Sequence, residues 1–234
     1  MTATSRRFGV RRALRALSSV MIVFGVILLA DAAATLLWQE PVSAVYAHLQ
    51  QNALDGDLAE LENAPLAAAE QRALDRIPDP QRKLNFQARA LQRRLDDGDA
   101  MGRIVMPAIG VSEVFVEGTE AGDLRKGPGH YPDTPLPGEH GTVAIAGHRT
   151  TYGAPFRNVD ELEGGDRIEL RMPYGRFTYR VERLRIVPPT ETSVIDRVDH
   201  DRLVLSACHP LYSAAKRIVV FARLVRAIPK APAA

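Results

Sequence analysis

A single cysteine, Cys208, stands among the 234 residues, so no intramolecular disulfide can form and Cys₄ and Cys₂His₂ zinc sites are excluded. HExxH is absent, and the six histidines are scattered without clustered carboxylates, so no metal is expected. No Walker or dinucleotide glycine pattern occurs, and Gly138-Glu-His-Gly reads as a turn, so no cofactor is implied. Acidic residues are missing from the first fifteen positions, where Arg6, Arg7, Arg11, Arg12 and Arg15 stand. Lys and Arg are missing from 16 to 71, and residues 16–30 carry no charge at all.

These gaps locate the charge. The formal net charge is +2, yet the residues after Arg15 hold 25 basic against 28 acidic side chains, a balance of −3. A nucleic-acid binder spreads a basic patch over its folded part. Here the surplus lies at one end, which argues against DNA and RNA and for targeting. From Ala16 to Trp38 the chain is apolar except for Asp31, and 23 residues of helix span roughly 34 Å, enough for a bilayer core. Trp38 suits the far interface, and the arginines place residues 1–15 in the cytoplasm and the rest outside. Ala30-Asp31-Ala32 also has the form of a cleavage site, so a signal peptide is the alternative to an uncleaved anchor at 16–38.

Residues 39–100 are rich in Ala, Leu, Gln, Glu and Arg, with Leu84, Ala88, Leu91 and Leu95 at helical spacing. Pro65, Pro78 and Pro80 divide them into two or three amphipathic helices, a stalk or cover. From 101 to 228 the texture is β. Seven or eight short strands bounded by Gly, Pro or Asp predict a mainly β domain, a closed barrel or a sandwich. Pro173-Tyr-Gly-Arg reads as a hairpin turn. The last two strands are apolar on both faces and belong inside the sheet. Residues 229–234 read as a disordered tail.

Chemistry points to three strand ends. Cys208 closes one strand and Arg217 opens the next, so a hairpin between them sets thiol opposite guanidinium. His148 follows the strand Thr142 to Ala146. A thiolate nucleophile needs a cationic neighbour or a base, and an oxyanion needs donors that keep their charge. His140 and His209 compete with His148 on composition alone, and each of these residues also has an ordinary structural role open to it.

The run from Tyr131 to Phe156, including Gly147-His-Arg-Thr-Thr-Tyr-Gly, then Leu205-Ser-Ala-Cys-His-Pro and Ser213-Ala-Ala-Lys-Arg-Ile-Val-Val, resembles the sortases. These are membrane-anchored cysteine transpeptidases of mainly Gram-positive bacteria, and the flanks look most like class E, the actinobacterial housekeeping type. The resemblance covers residues 102–226. It implies a closed eight-stranded sortase-type β-barrel behind an N-terminal transmembrane helix and a helical stalk. It further implies Cys208 as nucleophile, His148 as general acid/base and Arg217 as substrate orienter and oxyanion donor. The substrates would be secreted proteins with a C-terminal LPxTG- or LAxTG-type sorting motif, cut between Thr and Gly. A cell-wall amine, peptidoglycan or lipid-linked, would accept the acyl group on the extracellular face of the membrane.

Tyr152, Ser206, Ala207 and His209 are the expected substrate-binding positions. The family's Thr-Leu-x-Thr-Cys is Val204-Leu-Ser-Ala-Cys here, so both threonine hydroxyls are missing and Ser206 is the expected substitute. Two further readings remain at this point: a barrel of the same fold that only binds sorting-type peptides, and a thiol hydrolase without transfer.

Overall fold

The computed structural model describes residues 3–37 and 41–230 and divides into two units, Met1–Pro41 and Val42–Ala234. Trp38 and residues 231–234 lie outside the described residues, as do the side chains of residues 1–13 and 34–42. The first unit is helix α1 (Ala3–Leu37), which runs through Asp31 without a break. Its segment Leu14–Ala33 has a mean hydropathy of 2.2 and is long and apolar enough to cross a membrane, a property it shares with signal sequences.

In the second unit the prolines act as expected. Helices α2 (Pro41–Asn63), α3 (Ala68–Asp75) and α4 (Pro80–Gln92) are separated at Pro65 and Pro78. Asp79 caps α4, accepting the Arg82 N–H at 2.7 Å, and Pro80 sits in the first turn where its missing N–H is harmless. Of the two readings, stalk or cover, the packing of α2 and α4 fits a cover. Leu54 and Leu58 of α2 pack with Ala100, Val114 and Val116, while Leu84, Ala88 and Leu91 of α4 enter the main core. The physical reason is burial: an apolar helical stripe gains nothing in water and about 25 cal/mol per Å² against another apolar surface.

The barrel has eight strands: β1 (Ala100–Met106), β2 (Val111–Glu117), β3 (Gly129–His130), β4 (Thr142–Gly147), β5 (Arg167–Met172), β6 (Gly175–Val187), β7 (Arg202–His209) and β8 (Lys216–Pro229). A short helix, α5 (Ala121–Leu124), lies between β2 and β3. The strands close in the order β1-β2-β3-β4-β7-β8-β6-β5. Met172 pairs with Gly175, so the expected hairpin turn lies at Pro173 and Tyr174. β7 and β8 are interior members of the sheet, as their apolar texture predicted.

Two strands differ from expectation. The two-residue β3 carries no pattern of its own. It forms because β2 needs a neighbour, and a Cβ on Gly129 would overlap the Gly118 carbonyl. β6 continues past Val181 to Val187 across a bulge, with Glu182, Arg183 and Arg185 exposed, so its second half reads as polar until β8 pairs with it.

Candidate active site

β7 alternates cleanly. Leu203, Leu205 and Ala207 lie in the main core, and Val204 lies in an outer cluster with Ala144, Val187, Val219 and Phe221. Ser206 and Cys208 therefore share the outer face with Val204. Across the antiparallel β7–β8 ladder Cys208 is directly opposite Arg217, and His209 opposite Lys216. Directly opposed residues hold their Cβ atoms about 4.5–5.5 Å apart, so thiol and guanidinium stem are neighbours. Both are half-buried. The Arg217 guanidinium is steadied at the turn, its Nη1 donating to the Ala214 and Lys216 carbonyls at 3.0 and 3.1 Å.

The third group arrives on β4. β4 runs parallel to β7 with Gly147 level with Ala207, so His148 leaves the strand level with Cys208. A glycine is needed at 147: an added Cβ would sit 2.5–2.8 Å from the Phe156 ring, which is fully buried. Phe156 in turn donates its N–H to the His148 carbonyl at 2.9 Å, fixing the start of the loop. Burial first and the Arg125 charge second hold the His148 imidazole below its usual pKa.

Tyr152 lies against His148, with ring centroids 5.3 Å apart. Its backbone is in the left-handed region at φ 51°, and its N–H donates to Ser43 Oγ at 3.3 Å. Tyr46 of α2 meets the same ring at 6.1 Å, edge on, and Arg125 lies 5.7 Å from its centroid. Helix α2 thus reaches the site, a role its sequence did not announce.

The predicted residues separate. Cys208, Arg217, His148, Tyr152 and Ser206 come together around the β4–β7–β8 strand ends. The Ala207 side chain does not: it is buried in the barrel interior beside Ile218 and Val220 and belongs to the core. His209 is half-buried and tied to Arg149, whose Nη1 is 3.2 Å from His209 Nδ1. His140, the other candidate, is at the opposite end of β4, beside Asp201 at 3.1 Å.

Arg149 and Arg125 were missed. Arg149 is buried; it pairs with Asp160 at 2.6 Å and donates through Nε and Nη2 to the Arg157 carbonyl at 3.1 and 2.9 Å. Its position in Gly147-His-Arg-Thr-Thr-Tyr-Gly was the available signal, whereas nothing in the sequence around Arg125 marks it.

A closed barrel with thiol, guanidinium and imidazole at three adjacent strand ends defines a cysteine-centred domain. The chain belongs to the sortase family, whose Sortase domain matches residues 104–225. It is 38% identical to sortase D of Bacillus subtilis (strain 168) over 134 residues, covering 56% of this chain and 66% of that protein. Against sortase SrtE1 of Streptomyces coelicolor the identity is 27% over 151 residues, covering 58% and 43%. The chain thus spans just under two thirds of the first relative and less than half of the second. Among solved structures, a sortase D5 transpeptidase of Clostridium perfringens superposes with a TM-score of 0.54 at 27% identity, covering 68% of this chain and all of the other. Sortase E of Streptomyces avermitilis gives 0.53 at 32%, covering 57% and 93%. Likeness to class D therefore stands beside the class E features.

Proposed function

We propose that the barrel is a cysteine transpeptidase that acts on a sorting motif of the LPxTG or LAxTG kind. The observation that supports it most is the pairing of Cys208 with Arg217 at the level where His148 leaves β4. The Cys208 thiolate attacks the Thr carbonyl carbon of a Thr–Gly bond. A C–S bond forms, the carbonyl π electrons move to oxygen, and Arg217 stabilises that oxyanion. When the oxyanion collapses, the C–N bond breaks and His148 gives its proton to the leaving Gly amine. A cell-wall amine then attacks the thioester, loses a proton to neutral His148, and returns the sulfur as thiolate.

In this reading Ser206 lends a hydroxyl to the outer face and Tyr152 walls the substrate groove. Residues 16–38 anchor the protein with residues 1–15 in the cytoplasm and the barrel outside. The substrates are secreted proteins carrying the motif. Tyr152 covers one side of the imidazole and is itself met by Tyr46, which reduces the access of water to His148 and so favours transfer over hydrolysis.

The test is intact mass spectrometry of the full chain with LPxTG and LAxTG peptides, with Cys208→Ala alongside and an amine added second. The full chain is required because α2 and α4 bury part of the barrel. A thioester adduct on the wild type alone, passed on to the amine, is the expected result. An adduct released only to water makes the protein a hydrolase, and a reactive thiol that never acylates makes it a binder. Ser206→Ala at an unchanged rate removes Ser206 from the site.

A further inference from the structure

Charge counted along the chain conceals where the fold puts it. β5, β6 and β8 are adjacent in the barrel and, leaving aside Lys216 and Arg217 at the thiol end, hold eight arginines against two glutamates, in a chain whose balance after Arg15 is −3. Register stacks these residues. Arg167, Arg180 and Arg223 are opposite one another across the three strands and all exposed. One row nearer the β5–β6 turn Arg226 faces Thr178, and in the row after that Arg171 faces Arg176. Like charges directly opposite each other oppose sheet pairing, so folding alone gives no reason for the stack. The glutamates relieve little of it: Glu182 takes Arg223 at 2.7 Å and Glu169 takes Arg171 at 2.5 Å.

Apolar side chains sit among the arginines. Val225 is 54% and Ile228 40% exposed, and Ile228 is the partner of Arg176. On β7 the face ends, because Arg202 is buried and donates to the Val194 and Asp196 carbonyls. Arg202 is six residues from Cys208, roughly 20 Å along the strand, so an occupant of this face leaves the thiol free.

We propose that the outer face of β5, β6 and β8 docks on the surface of an anionic phospholipid bilayer. Arginines attract phosphate headgroups, and Val225 and Ile228 enter the acyl boundary between them, the mixture that interfacial segments use. A membrane-crossing candidate in the same chain, Leu14–Ala33, favours a bilayer over a soluble polyanion. The proposal does not depend on the transpeptidase reading.

The test uses the full chain with Cys208→Ala, so loss of catalysis cannot affect it. A fluorophore is placed at Thr178→Cys on the face, or at the exposed Ser112→Cys on β2 as control. The protein is reconstituted in phosphatidylcholine vesicles or in vesicles one third phosphatidylglycerol, both with a headgroup quencher. If reconstitution fails, co-sedimentation with the same vesicles must show the same lipid dependence. Stronger quenching at 178 than at 112, only with phosphatidylglycerol and lost as salt shortens the Debye length from ~10 to ~3 Å, is expected. R176Q/R180Q/R226Q should weaken docking about 100-fold, at roughly fivefold per arginine, and the matching Lys variant should retain most of it. Equal quenching at both positions, or none that depends on lipid charge, overturns the proposal. Protection of 178 by soluble polyphosphate without a response to phosphatidylglycerol also overturns it and assigns the face to a phosphate polymer.

Discussion

Arg149 Nη1 lies 3.2 Å from His209 Nδ1, joining the residue after His148 to the residue after Cys208. The loop that opens with the proposed imidazole and the strand end that carries the proposed thiol are thereby linked through one buried guanidinium. Its other end is held by Asp160 and by the Arg157 carbonyl.

Arg149→Met keeps the stem and removes every donor. Loss of charge-assisted hydrogen bonds from a buried site should lower stability by about 2–4 kcal/mol, measured by urea unfolding. The rate with saturating peptide should fall further than stability explains, because the positions of His148 and Cys208 become independent. A Lys at 149 should restore some stability but not the rate, since an ammonium cannot reach three partners in one plane. A rate unchanged in the Met variant would show that Arg149 serves folding alone.

His148 should titrate below about 6.5 when followed by NMR of the imidazole carbons, because burial and then Arg125 disfavour its cation. Between the lowered folded value and the unfolded value near 6.5, the unfolded chain binds more protons. His148 therefore contributes stability that is present above about pH 6.5 and lost as pH falls through the folded value. Arg125→Gln should move the titration upward but short of the usual value, as burial is the larger cause.

Gly147→Ala should damage activity more than fold. The new methyl must displace the Phe156 ring, and Phe156 carries the backbone bond that holds His148. Overpacking of this kind costs about 1–3 kcal/mol. Peptide acylation should drop at least tenfold, and Phe156→Leu in the same protein should recover part of it by making room.

Gln51→Ala tests whether α2 belongs to the catalytic unit. The Gln51 amide donates to the Val114 and Lys126 carbonyls, each at 3.0 Å, and its oxygen accepts the Val114 N–H at 2.8 Å. Val114 is fully buried, so its N–H loses its partner, at a cost of about 1–3 kcal/mol. Hydrogen exchange should rise in α2 and in the Tyr152 loop together, since Ser43 and Tyr46 reach that loop. Faster exchange confined to α2 would mean the two are not coupled.

Much of the site was readable along the chain. Alternation on a strand is local, so Leu203, Leu205 and Ala207 against Val204, Ser206 and Cys208 follows from a period of two once one face is known. The same alternation turns the Ala207 side chain inward, into the core. The Cys208–Arg217 pairing needed only a short hairpin, and the helix breaks at Pro65 and Pro78 needed only the geometry of proline.

Other features depend on chain segments that are far apart. Tyr152 rests on Ser43, 109 residues earlier, and Arg149 meets His209, 60 residues later. Neither partner leaves a mark in the other's neighbourhood. The helices before the barrel show an apolar stripe in sequence, but the stripe does not say what covers it; Val114 and Val116 on the outside of β2 do. Composition showed a basic N-terminus and a slightly acidic remainder. Only the order of strands brought the arginines of β5, β6 and β8 onto one face, because net charge is a sum over the chain while a surface is a sum over neighbours.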